Sequence, residues 1–267
     1  MVVAALTRRA LISSAAALAH HSRSVGGDGL ASPGSGLAAA NTAPRRIRPP
    51  RHRLNGWMVS DIGFSTQGRP TWRWDSRPRI SRCHVVVMFG IHGGELAARD
   101  LAEGFGRINR PDDLHLRLVP VVNPDGWHGG TRRNSRDVNL NRNFPWGWND
   151  RRYAGSGPAS QIETRNTMWM LGSERPDLTV WVHQPLGYVA ALAGCSPCSV
   201  DILSDVSGVP VRQNVVQVGG GESWTGLELG RPSMLVEVGG SRDTPSGMEA
   251  HVEALEALLF GVRPSEA

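Results

Sequence analysis

Val85-Val86-Val87-Met88-Phe89-Gly90-Ile91-His92-Gly93-Gly94-Glu95 decides how the rest of the chain is read. Its first five residues are apolar and mostly β-branched, and the run stops at a glycine. A helix-like spacing of Leu96, Ala97, Leu101 and Phe105 follows. The pattern predicts a buried strand, a turn, and a helix starting near Glu95. A His and a Glu three positions apart at a strand's carboxyl end can face one spot, and the glycines between them leave that spot open. Imidazole nitrogen and carboxylate oxygen are ligand types that zinc takes. The pair alone also suits a hydrogen-bonded structural contact, so the decision falls to residues elsewhere in the chain.

Downstream, Leu114 to Val122 repeats the buried-strand pattern and ends at Asn123-Pro124-Asp125-Gly126, which reads as a turn. Residues 127–155 read as a loop crowded with Trp, Asn, Arg and Gly. Loops of that length inside a domain commonly carry function. Residues 160–172 read as a helix, Leu178 to Val182 as a third strand ending at His183, and Met234 to Val238 as a fourth strand containing Glu237. The last helix is expected over 247–261. Upstream, residues 57–82 alternate polar and apolar side chains around turn residues, as edge strands do. Strands alternating with helices predict one α/β domain with a mixed, mostly parallel central sheet flanked by helices.

The chain has 267 residues and a formal net charge of +5, but the charge is uneven. Residues 1–55 hold eight Arg and one acid, Asp28, a net of +7, whereas residues 56–267 hold 21 Arg against 23 acids, a net of −2. The part expected to fold therefore has no charge reason to bind nucleic acid. No apolar run reaches the roughly 18–20 residues of a membrane span. Every basic residue is Arg, which rules out lysine-based catalysis. Residues 1–19 have an Arg8-Arg9 pair, a short apolar run and Ala17-Leu18-Ala19, like a twin-arginine export signal. Residues 20–55 are rich in Gly, Ala, Ser, Pro and Arg and read as a disordered linker. The catalytic domain is expected over 56–267. The localisation expected is periplasmic or extracellular, with a cytoplasmic protein the alternative.

His92, Glu95, His183 and Glu237 share a placement at or near the ends of predicted strands, where open α/β sheets put their sites. Two His and one Glu form a catalytic zinc set with a position left for water. Glu237 lies on an otherwise apolar strand, where burial is costly unless the carboxylate has a partner or a task. A general base is such a task. The loop Arg132-Arg133-Asn134-Ser135-Arg136-Asp137-Val138-Asn139-Leu140-Asn141-Arg142-Asn143-Phe144 supplies guanidinium groups suited to carboxylates and oxyanions. Its interleaved Asn residues argue against a merely solvated basic loop.

These segments together resemble the zinc metallocarboxypeptidases, and within them the bacterial murein peptide amidases. The resemblance is carried by Gln67-Gly68-Arg69-Pro70, Gly90 to Glu95, Asn123 to Gly126, the Arg132–Phe144 loop, Ser156-Gly157-Pro158 with Glu163-Thr164, His183-Gln184-Pro185-Leu186, and Leu235-Val236-Glu237. It implies one Zn2+ per chain held by His92, Glu95 and His183. It makes Glu237 the base that takes a proton from the attacking water and Arg132 the group that steadies the oxyanion. It makes Asn141 and Arg142 the clamp on the free carboxylate of the residue released. Glu222 aligns with the floor of the side-chain pocket, where an acid favours a positively charged residue such as diaminopimelate, Lys or Arg. The other reading of Glu222 is a surface acid in a glycine-rich loop.

The implied reaction is hydrolysis of the γ-D-glutamyl–meso-diaminopimelate bond of peptidoglycan-derived peptides. The alternatives are a carboxypeptidase for basic C-termini, a succinylglutamate desuccinylase-like deacylase, and a non-catalytic wall-peptide binder. The last is motivated by two of the departures from the family pattern, those at Asn139 and Asp137. Asn139 stands where an Asp usually backs a zinc-binding His, Asp137 replaces a usual Gly, and Val215 stands near where digestive members carry a lid Tyr. Cys195-Ser196-Pro197-Cys198 reads as a CxxC in a loop. In an exported protein a local disulfide is expected there, with Cys83 a buried thiol; in the cytosol all three stay reduced.

Overall fold

Arg46–Ala267 forms one compact unit. The computed structural model describes residues 53–262 apart from 55, 77, 96–100, 103, 105, 106, 193 and 240–244. The expected export signal at 1–19, and the expected linker at 20–55 except Arg53–Leu54, lie outside the described residues. Those two residues form β1 and pair antiparallel with β2, Trp57–Phe64. β3 is Pro70–Asp75, β4 Cys83–Met88 and β5 Leu114–Val119. The helix α1, Pro124–Gly129, precedes the loop, which contains a 3-10 turn at Leu140–Arg142. Then come α2 (Ile162–Glu174), β6 (Leu178–His183), β7 (Leu186–Ala191) and α3 (Pro197–Ser207). A helical turn at Gly221–Ser223 continues as a π-helix over Trp224–Glu228, before β8 (Ser233–Gly239) and α4 (Pro245–Gly261).

The strands make one mixed sheet in the order β1-β2-β3-β5-β4-β6-β8-β7. β5, β4, β6 and β8 run parallel at its centre, and the outer pairings are antiparallel. The central strands explain this placement, because every side chain of β6 is buried and so is nearly every one of β4. Only a sheet covered on both faces accommodates such strands. Alternation divides β4 between two cores. Val85 and Val87 face a cluster with Leu203 of α3 and Leu255, Leu258 and Leu259 of α4. Val86 and Met88 face the other, with Met170 and Leu171 of α2, Phe144, Trp181 and Trp224. Burying each such side chain contributes about 1.5–3 kcal/mol.

Three local expectations change. Asn123-Pro124-Asp125-Gly126 opens α1 instead of making a free turn. Asn123 Oδ1 caps the helix by accepting the Gly126 N–H at 2.8 Å, and Pro124 fills a first-turn position where its missing N–H costs nothing. The CxxC segment is not all loop, since Pro197 and Cys198 begin α3. Cys195 is a free thiol whose Sγ donates to the Ser233 carbonyl at 3.0 Å, so the expected local disulfide is not formed; Cys83 is buried and free. Finally, β7 follows β6 directly and pairs antiparallel with β8, closing that edge of the sheet. No helix among the described residues is long and apolar enough to cross a membrane.

Candidate active site

The chain leaves β4 for β5 on one side and returns to β4's other side as β6. The crevice at the carboxyl ends of these strands is a topological switch point, where α/β sheets place ligands. The backbone ladder continues past β4 and β5 to shape the turn carrying His92. Phe89 N–H donates to Val119 O at 2.9 Å, Val122 N–H to Phe89 O at 2.9 Å, and Asn123 N–H to Gly90 O at 3.0 Å. Gly90 has φ +59°, which glycine adopts without steric cost. Gly93 lies against α1 so closely that a Cβ would come 2.0 Å from the Gly126 carbonyl carbon. On β6, His183 is the last residue, and the parallel register sets it opposite Glu237 of β8.

Ligand atoms of His92, Glu95 and His183 all lie within 4.8 Å of one another, and all three residues are buried. Glu95 Oε1 is the common point, 2.6 Å from His92 Nδ1 and 3.7 Å from His183 Nδ1. Asn139 Oδ1 accepts the Asn141 backbone N–H at 3.0 Å and lies 3.0 Å from His92 Nε2. That oxygen therefore takes the His92 proton at Nε2, which leaves a lone pair on Nδ1 facing a carboxylate oxygen. The 2.6 Å contact is that of a shared proton, whose place a cation bound to both atoms could take. Glu95 Oε2 is buried and makes no hydrogen bond, a second sign that the group is built for an ion. An N, O, N donor set in which one carboxylate meets two imidazoles suits zinc.

The electrostatics favour the metal-binding forms of Glu95 and His92, while His183 has to give up a proton to bind a metal. Burial opposes charge on Glu95, but the two histidines beside it outweigh this and hold the carboxyl down at about 2. Burial keeps His92 neutral by lowering it to about 4. His183 moves the other way: burial disfavours its charge, yet Glu95, Glu222 and Glu237 together raise it above the ordinary histidine value. Burial likewise raises Glu237 above the usual carboxylate range, only partly offset by His183 and by the Leu186 N–H, which donates to its Oε2 at 3.3 Å. A carboxylate raised in this way beside a candidate metal ligand has the character of a general base.

The loop brings the remaining expected residues to the same crevice. Arg132 reaches in from solvent, with its side chain 54% exposed and Nη1 3.7 Å from Glu95 Oε1. Its neighbour Arg133 turns away to Asp137 and stacks on Tyr153. Asn141 is buried, with Oδ1 accepting the Gly221 N–H at 2.8 Å and Nδ2 donating to Glu222 Oε1 at 3.3 Å. Arg142 is half-buried; burial first, and then the nearby Arg151 and Arg132, lower its pKa against the opposing pull of Glu222. Glu222 is no surface acid. It is 2% exposed, and its Oε2 lies 4.0 Å from His183 Nε2.

The departures are accommodated. Asp137 has φ +61°, where Gly is freest and Asp is among the better-tolerated alternatives. Val215 packs against the second core cluster. Sequence reasoning quoted the segments that hold the loop in place but gave their acids no role. Asp125 accepts from Ser65 Oγ at 2.6 Å, Arg69 Nη1 at 2.8 Å, Ser135 Oγ at 2.8 Å and Gln67 N at 3.0 Å. Glu163 accepts from Thr66 N at 3.0 Å and Asn134 Nδ2 at 3.3 Å. These two buried carboxylates lock the β2–β3 turn to the arginine loop. Their signal was an acid within otherwise apolar or turn-forming segments.

The zinc carboxypeptidase family model matches residues 57–191, half of the chain. Murein peptide amidase A of Escherichia coli (strain K12) is 29% identical over 144 residues, which cover 48% of this chain and 59% of the relative. Carboxypeptidase SOL1 of Arabidopsis thaliana is 31% identical over 100 residues, 32% of this chain and 20% of that protein. The chain thus spans less than two thirds of the length of the first relative and a fifth of the second. Among solved structures, murein-tripeptide amidase MpaA from Escherichia coli O157 superposes with a TM-score of 0.65 at 24% identity, covering 81% of this chain and 95% of that one. Carboxypeptidase A from Helicoverpa armigera gives 0.65 at 16% identity, covering 78% and 68%. The two structures share the fold. The murein peptide amidases are among the proteins it is similar to, and the chain belongs to the zinc carboxypeptidase family.

Proposed function

We propose that this chain is a zinc amidase that hydrolyses an amide next to a free carboxylate, with the γ-D-glutamyl–meso-diaminopimelate bond of murein peptides as its target. The observation that carries the reading is the meeting of His92, Glu95 and His183 within 4.8 Å at the carboxyl ends of the central strands. On this reading His92, Glu95 and His183 would hold one Zn2+, which would supply Lewis acidity toward the amide carbonyl and the attacking water. Glu237 accepts the proton of that water and passes it to the leaving amine. Arg132 reaches the same space and steadies the developing oxyanion. Arg142, with Asn141 beside it, receives the free carboxylate of the released residue, so the enzyme reads a chain end.

The murein target draws its support from the names of the two Escherichia coli relatives. Basic C-terminal residues and N-acyl amino acids are the competing substrates. Side-by-side assays of a diaminopimelate tripeptide, an Arg-ended peptide and an N-acyl amino acid separate them. The tripeptide is expected to show the highest kcat/KM, and preference for either competitor overturns the target. Asn139 motivates the binder reading, since a neutral acceptor makes His92 a weaker ligand. On the present reading the wild type is itself active, and Asn139→Asp tightens zinc by roughly 10-fold. Peptide binding without turnover in both proteins would favour the binder. We place the protein's work outside the cytoplasm on the strength of residues 1–19, and fractionation of tagged protein with and without Arg8 and Arg9 replaced by Lys tests that.

A further inference from the structure

We infer that Glu222 is a positioning residue for His183, accepting the imidazole's second N–H when the metal is held, and is not the group that reads the substrate's side chain. This rests on the zinc reading above. Glu222 enters the helical turn Gly221–Ser223, which runs on into the π-helical segment Trp224–Glu228. It is 2% exposed. One carboxylate oxygen is already used, because Oε1 accepts from Asn141 Nδ2 at 3.3 Å while Asn141 Oδ1 accepts the Gly221 N–H at 2.8 Å. Loop and turn thus hold each other, which fixes where the other oxygen lies. Oε2 is buried, makes no hydrogen bond, and lies 4.0 Å from His183 Nε2, which is also buried without one.

Imidazole chemistry makes these two atoms complementary. His183 turns Nδ1 toward Glu95, on the ligand side of the site. A metal there takes the Nδ1 lone pair and leaves the ring's proton on Nε2. A buried N–H without an acceptor is costly, and the unused Glu222 oxygen is the acceptor at hand. Rotation by roughly 1 Å closes the contact to a hydrogen bond. Carboxylate–histidine–metal chains of this kind fix the tautomer and raise the ligand's basicity. The two histidines are then backed unequally, His92 by the neutral Asn139 and His183 by an anion. A carboxylate spent at both oxygens and closed to solvent is poorly placed to meet a substrate ammonium.

The test uses the isosteric variant Glu222→Gln in the full chain. Its single oxygen can serve Asn141 or His183 but not both, and its amide nitrogen meets the other donor. Zinc dissociation constants come from competition with a chromophoric chelator, and cobalt-substituted protein reports ligand geometry in its visible spectrum. The expected result is a roughly 10–100-fold weaker zinc affinity, a shifted cobalt spectrum, and an unchanged ratio of kcat/KM between diaminopimelate-ended and neutral-ended peptides. Zinc affinity within twofold of wild type, with the preference for the cationic end lost, overturns the inference and returns Glu222 to the substrate pocket. Wild-type chain that holds no zinc overturns the zinc reading itself and this inference with it. Should the variant not fold, nitrogen-15 spectra of zinc-loaded wild type decide: a slowly exchanging Nε2–H on His183 is expected, and rapid exchange contradicts it.

Discussion

Glu237 shows how much a single side chain carries here. It is the acid of a β8 strand whose other residues are buried apolar groups or small ones, and its burial raises it above the ordinary carboxylate range. Replacement by Gln keeps volume and hydrogen-bonding capacity but removes the base. Glu237→Gln should lower kcat by about 10²–10⁴-fold while zinc content, measured by atomic emission, stays stoichiometric. A variant with near-wild-type turnover would assign the proton transfer to another group. Glu237 was legible in the sequence for the same reason that it is reactive, since an acid amid Met234, Leu235, Val236 and Val238 has to be explained. His92, Glu95 and His183 were legible because each ends an apolar run. The surroundings of Glu222 were not, because they depend on Asn141 and His183, residues 81 and 39 positions away. No local pattern encodes such a meeting.

The element that presents the site is the turn that follows β4, and it works by close backbone approach to α1. Gly93 is the contact: a Cβ there would meet Gly126 C at 2.0 Å, Gly126 O at 2.2 Å and Trp127 N at 2.2 Å, all backbone atoms that cannot rotate aside. Gly93→Ala should therefore displace His92 and Glu95 together. It should destabilise the fold by about 1–3 kcal/mol or more, seen as a lower Tm, and weaken zinc binding in parallel. Unchanged Tm and affinity would show that the turn has slack. At this scale the sequence signalled the parallel centre well, because fully buried strands are apolar throughout. It signalled the periphery poorly. β7 is a short edge strand of Leu, Gly, Tyr, Val and Ala without strict alternation, and α3 hides behind a Cys-Ser-Pro-Cys that resembles loop chemistry. Asn123 misled in an instructive way, because an N-cap and a turn draw on the same residues.

Across the whole molecule, a second buried polar cluster joins β3, β5 and α2. Asp75 receives Arg117 Nε at 2.5 Å and lies 3.4 Å from Arg73 and 3.5 Å from His115, while Arg73 and Arg117 also meet Glu174. Burial works against the Asp75 charge, but His115, Arg117 and Arg73 bring its pKa from 3.8 down to about 2. A depressed carboxylate contributes stability that is fully present above its unfolded value and lost as pH falls through its folded one. Asp75 should thus stabilise the fold by about 2 kcal/mol at neutral pH, a contribution that fades between about pH 4 and pH 2. Denaturant unfolding across that range measures it, and Asp75→Asn should flatten the acid limb. If wild type and variant lose stability in step, other carboxylates dominate.

The account as a whole depends on one cation at the crevice where β4, β6 and β8 end. The most direct measurement is the zinc content of purified full-length chain, taken together with hydrolysis of a diaminopimelate-containing tripeptide before and after a strong chelator. One zinc per chain is predicted, with activity lost on removal of the metal and regained when zinc is returned. A folded chain that holds no zinc, or hydrolysis that persists without it, would contradict the account.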